Sequence, residues 1–249
     1  MRRGIHVHHA RGQVALAEAG LALLYRGDEP YRLSHPFDRD VPDRSTCVEF
    51  GPALLWEACG RERRARDLGI RLSPRTQMLD FAVMAVLRSG GDDRLASEER
   101  SLALVRAVAS DFGPAREDPL VLATARRRVE RARAFIAAKP QANRNLEEVA
   151  AAAACSPFHL ARLFKRQTGM TIRGYRLRLR LATVLQDLAD GSMDLTESAL
   201  RAGFSDHSHM TTSFRATFGR TPSALREELG TSGLRKRSKF LQAASEKQA

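Results

Sequence analysis

The chain has 249 residues, 43% of them apolar, and a net charge of +12. That length exceeds a usual single domain and the apolar share is enough for packed cores, while no apolar run approaches the length of a membrane span. The charge is one-sided, with 18 Lys/Arg against 18 Asp/Glu in residues 1–120 and 23 against 11 in residues 121–249, so a polyanion is expected to meet the rear half alone.

Met1, Arg2 and Arg3 are basic, but no apolar segment follows them, and this does not make a signal peptide. Cys47, Cys59 and Cys155 are few, odd in number and scattered. They offer neither a disulfide framework nor a zinc site and suit a cytoplasmic protein. His6, His8 and His9 suggest a metal cluster, yet the next acid is Glu18; a frayed terminus holding no metal is expected instead. Residues 13–50 read as a short β-rich segment, with strand candidates at 14–17, 21–25, 31–36 and 46–50 between Gly, Asp and Pro turns. These are fewer strands than a closed barrel needs.

Residues 52–112 read as helices, clearest at 53–57, 77–87 and 98–112, the second of these stopped by Gly90 and Gly91. Their Leu, Val and Met faces suit packing against the strands. The run Arg61, Arg63, Arg64 and Arg66 reads as a solvated face. Residues 113–119, with Pro114 and Pro119, form the linker. A helix carrying Arg126, Arg127, Arg128, Arg131 and Arg133 then runs from about 120 to 139.

From residue 145 to 226 one small pattern occurs twice. Leu146 pairs with Leu195 at an offset of 49, and Phe164 with Phe214 at an offset of 50, so one residue has been added at the turn between two short helices. Repeats at such a spacing signal a duplicated supersecondary unit. Each copy has the shape of a helix-turn-helix. Ser156 and Ser205 stand where N-caps belong, and Pro157 suits a first helical position. Leu160, Leu163 and Phe164 form one apolar face. Phe158, Ala161, Arg162, Lys165 and Arg166 stand opposite, as a helix entering a major groove requires.

Between the copies, residues 176–181 alternate Arg and Leu as a strand would. The wider spacing Leu177, Leu181, Val184, Leu185, Leu188, ended by Gly191, predicts one long helix over 172–189. Thr221 and Pro222 open a final short helix.

These residues resemble the DNA-binding domain of the AraC/XylS transcriptional regulators over about 125–229. The resemblance is carried by Ser156, Pro157, His159, Leu160, Arg162, Phe164, Lys165 and Gly169. In the second copy it is carried by Ala199, Gly203, Phe204, Ser205, Asp206, Phe214, Arg215, Phe218, Gly219, Arg220, Thr221 and Pro222. It implies two helix-turn-helix units held by the long helix so that both recognition helices enter successive major grooves. For the front half it implies a reduced cupin-like domain whose following helices commonly supply a dimer contact.

The expected fold is therefore α+β, with a regulatory and dimerisation region at 1–112 (cupin-like strands 13–50, helices 52–112) and a linker at 113–119. An all-α DNA-binding domain follows at 120–230, and a disordered basic tail at 231–249. Double-stranded DNA is the expected partner, with RNA polymerase, a small-molecule effector and a second copy of the chain as candidates; no membrane and no cofactor are expected.

Arg162 is the expected base reader, since guanidinium can fork onto guanine O6 and N7. Phe158 and Ala161 would touch a thymine methyl. Lys165, Arg166 and His159 would meet phosphates, which position without specifying. The second copy would read through His207, Ser208, Thr211, Thr212 and Arg215. It departs from the family at Ser198 and Ser213, where apolar residues are usual, and at Thr212, which replaces the Arg matching Arg162. It should pack and read less well. The competing reading, a metal-dependent cupin-type enzyme fused to a DNA-binding domain, lacks an ordered ligand set, and no catalytic residues are expected. A single-strand RNA binder would need aromatic stacking residues that these helices lack.

Overall fold

The computed structural model describes residues 5–10, 12–25, 29–35, 45, 47–49, 51, 68–88, 94–111, 123–191 and 194–228. The expected helix at 53–57, the arginine run at 61–66, the linker and the basic tail lie outside them; of the strand expected at 46–50, residues 47–49 are described and are irregular, which corrects that expectation.

Among the described residues five strands make two small sheets. β1 (Ile5–Ala10) lies between β2 (Gln13–Glu18) and β4 (Tyr31–Ser34), antiparallel to both, while β3 (Leu21–Leu23) pairs antiparallel with β5 (Gly69–Arg71). Two expectations are corrected here. Residues 5–10 are the central strand of the larger sheet, not a frayed end. His8 is buried and packs against both Tyr31 at 4.9 Å and Tyr25 at 5.2 Å, two rings that also lie 5.3 Å from each other. Burial, with His6 and His9 beside it, pushes the His8 pKa down, which favours the neutral ring. Among the described residues no group of three or more His, Cys, Asp or Glu is arranged to hold a metal. The second correction is β5, in a stretch read as helical. Three residues are too few to display an alternation, and Gly69 is there because Leu21 and Leu23 of β3 crowd the place of a Cβ at 3.0–3.1 Å.

The helices are α1 (Pro74–Arg88), α2 (Arg94–Asp111), α3 (Ala123–Ala138), α4 (Leu146–Ala152), α5 (Pro157–Thr168), α6 (Ile172–Asp190), α7 (Leu195–Arg201) and α8 (His207–Phe218), followed by a helical segment, α9, at residues 222–228. Thr221 caps α9 through the Ala224 amide. α6 is a single helix through the alternating Arg–Leu stretch. The leucines at its core positions are buried, while Arg176, Arg178 and Arg180 turn to main-chain carbonyls of Arg144, Leu72 and Pro140.

Two buried clusters form the rear half. In one, Val129, Ala132 and Ile136 of α3 pack with Val149, Leu160, Leu163, Phe164, Ile172 and Tyr175. In the other, Leu181, Val184 and Leu188 of α6 pack with Leu195, Ala199, Phe204, Met210, Phe214 and Leu225. Phe81, on α1, belongs to that second cluster. This corrects the expectation that the front helices pack on the strands: α1 lies on α6 and α8. The strands meet the rear half too, Ile5 and Leu16 packing on Ala134 of α3.

Candidate nucleic-acid interface

α5 is set by its ends. Ser156 sits in extended conformation and its Oγ accepts the His159 amide, Pro157 occupies the first turn, and Gly169 closes the helix at φ +73°. The underside of Leu160, Leu163 and Phe164 is buried, which turns Phe158, Ala161, Arg162, Lys165 and Arg166 outward. Phe158 is 79% exposed. His159 departs from this face. It is half-buried, with its Nε2 3.4 Å from Nη1 of Arg128 on α3.

α8 repeats the arrangement with a different cap. The Asp206 side chain accepts the His209 amide at 2.7 Å, so Asp206, not Ser205, is the N-cap. The reason lies in the turns. Ala154 and Gly203, 49 apart, are both left-handed (φ +52° and +88°) and are followed by matching hydrogen bonds, Cys155 N to Ala150 O and Phe204 N to Ala199 O. The added residue therefore comes after the turn and is Ser205, so the cap aligns at an offset of 50. The Ser205 hydroxyl donates to Asp206 and lies 3.1 Å from His209 Nδ1.

On α8 the outward residues are Ser208, His209, Thr212 and Arg215. His207 and Thr211 are half-buried and 3.5 Å apart. His209 was not among the residues singled out from sequence, although Asp206 as cap would have placed it in the first exposed turn. Ser198 shows how the second unit manages without an apolar anchor. Buried, it donates to Asp187 Oδ2 at 2.7 Å, and Asp187 also pairs with Arg201.

Backbone amides also tune this unit. The Thr196 amide bonded to Asp194, and the His209 amide bonded to Asp206, hold both carboxyls below the usual aspartate range. Of the basic residues, Arg126, Arg127 and Arg131 of α3 remain exposed beside those of α5 and α8. Of the α6 arginines, Arg173 is exposed, while Arg176, Arg178 and Arg180 are drawn inward and burial lowers the pKa of each of these three.

Residues 149–228 match the family described as a helix-turn-helix domain. The transcriptional activator RhaS of Klebsiella pneumoniae is 38% identical over 81 residues, 32% of this chain and 29% of that protein. Over this domain the chain is similar to such transcriptional activators. A second relative, the bifunctional transcriptional activator/DNA repair enzyme Ada of Escherichia coli, is 41% identical over 81 residues, 32% of this chain and 23% of that protein. The chain thus aligns with about a quarter of the length of the curated relatives it matches.

Among solved structures, an AraC-type transcriptional regulator from Chromobacterium violaceum has 27% identity and a TM-score of 0.40, covering 43% of this chain and 96% of that one. ToxT from Vibrio cholerae, with an unsaturated fatty acid bound, has 12% identity and a TM-score of 0.37, covering 90% of this chain and 84% of that one. In the helix-turn-helix domain of this chain, Leu160, Phe164, Ala199 and Phe214 are buried, whereas Arg162, Lys165 and Arg215 face out. No described helix is long and apolar enough to cross a membrane.

Proposed function

We propose that the chain is a sequence-specific regulator of transcription that binds double-stranded DNA through two helix-turn-helix units, α4–α5 and α7–α8, joined by α6. Both α5 and α8 then enter the major groove, one helical turn apart along the duplex. The observation that carries the reading is the outer face of α5. Arg162 projects there with no internal partner among the described residues, between exposed Phe158 and Lys165. Arg162 reads a guanine; Phe158 and Ala161 touch thymine methyls; Lys165 and Arg166 grip phosphates. On α8, Ser208, His209 and Thr212 face the bases and Arg215 the backbone, with His207 and Thr211 supporting them. His159 serves α5 from its contact with Arg128. In this reading the front half, a reduced cupin-like domain, senses a small-molecule effector or joins two copies of the chain. RNA polymerase is the partner through which a bound copy acts.

Selection of bound duplexes from a random pool tests this at physiological and at raised salt. Two enriched boxes about 10 bp apart are expected. One box alone would leave α8 gripping backbone. An absence of any motif, with binding that vanishes as salt rises, would refute sequence-specific function.

A further inference from the structure

Glu18, the last residue of β2, is fully buried, and groups from three other elements converge on it. Arg71 of β5 and Arg133 of α3 both pair with Oε1, Arg133 at 2.8 Å, while the Tyr175 hydroxyl of α6 donates to Oε2. The Arg71 guanidinium also lies 4.8 Å from the centre of the Tyr175 ring. Burial pushes the Glu18 carboxyl up, against the pull of Arg133, and pushes Arg71 down to about 9, with Arg133 and Arg178 adding to the effect. A carboxylate so stripped of water persists only where several donors meet it, and removing one partner leaves uncompensated charge.

The cluster leads directly to α5. The Tyr175 ring stands edge-on to Phe164 at 5.2 Å and 73°, and Phe164 is wholly buried beneath α5. Arg133 shares α3 with Val129, Ala132 and Ile136, which pack with Leu160 and Leu163, and with Arg128, which contacts His159. The underside of α5 therefore rests on the two helices that Glu18 ties together.

We propose that Glu18 is a positioning residue for DNA reading: a carboxylate from the front half that fixes α3 against α6 and so sets the pose of α5. The inference rests on α5 being a reading helix. It goes further by making recognition depend on a β-strand residue that touches no DNA. The front half thereby gains a mechanical route to the reading head, since whatever shifts β2 shifts both helices under α5.

The test uses the full chain with two isosteric variants, Glu18→Gln and, as a milder one, Tyr175→Phe, which keeps the ring against Phe164. Hydrogen exchange of the free protein should show amides of α3 and α5 opening about tenfold faster in Glu18→Gln, with α7 and α8 near wild type. Affinity for a selected duplex should fall about tenfold, while affinity for random duplex at the same salt stays unchanged, because phosphate contacts do not need the exact pose. Tyr175→Phe should change both readouts in the same direction by less. Unchanged exchange in both variants would overturn the proposal. So would equal losses on selected and random duplex, which indicate general weakening. Should wild type select no duplex, the DNA-reading proposal fails by itself, and the exchange measurement still decides whether Glu18 holds α5 in place.

Discussion

Replacing Phe81 by Ala tests whether a front-half helix belongs to the core of the DNA-binding domain. Phe81 is 5% exposed on α1 and packs in the cluster containing Leu181, Val184, Met210 and Phe214. Truncating a buried Phe costs about 3–5 kcal/mol, from lost transfer energy plus the cavity left behind. Met78, partly buried against the same cluster, is flexible enough to fill part of the gap, which favours the lower end, about 3 kcal/mol. A protein of this kind has a total stability of roughly 5–15 kcal/mol, so the midpoint of urea unfolding followed by circular dichroism should move visibly. The loss should also reach DNA. Binding to a two-box duplex should weaken through the second box, because α1 lies on α6 and α8 and not on α5. A loss below about 1 kcal/mol, or raised amide exchange confined to the strands, would refute the shared core.

Three further outcomes follow from the site. Arg162→Ala should cost about 1–3 kcal/mol of discrimination at one base and Thr212→Ala under about 1 kcal/mol; similar losses in titrations of a selected duplex would remove the asymmetry between the units. Gly203→Ala should destabilise by more than about 2 kcal/mol. The added Cβ would stand 2.6 Å from Gln141 Cα, and the left-handed φ of +88° adds backbone strain to that clash. A thermal melt close to wild type would contradict this.

Acid should loosen the second unit first. Asp194 and Asp206 have carboxyls depressed by backbone hydrogen bonds, so their stabilisation is present above the unfolded value and is lost as pH falls through the folded one. α5 is capped by Ser156, whose hydroxyl does not titrate in this range, whereas the α4 cap includes the Glu148 carboxylate. Below about pH 4, amide exchange in α7 and α8 should rise before that in α5, and a simultaneous rise would exclude the mechanism.

Local patterns alone determined the rear half. The 3.6-residue spacing of Leu177, Leu181, Val184 and Leu188 overrides the Arg–Leu alternation, since a helix gathers all four on one side and a strand could not. The offset change from 49 to 50 marks an added residue, and had it been assigned to Ser205, the cap would have fallen on Asp206. What needed tertiary structure were contacts far apart in the chain. Nothing near Phe81 says that its ring completes a cluster with Phe214, nor does the lone Glu18 announce two arginines and a tyrosine from three other elements. His8 reads as polar by residue type and becomes a buried ring only once Tyr25 and Tyr31 close over it. Periodicity fixes which face of an element is apolar, because that follows from backbone geometry. Which partner covers that face depends on chain-distant packing, and no local signal carries it.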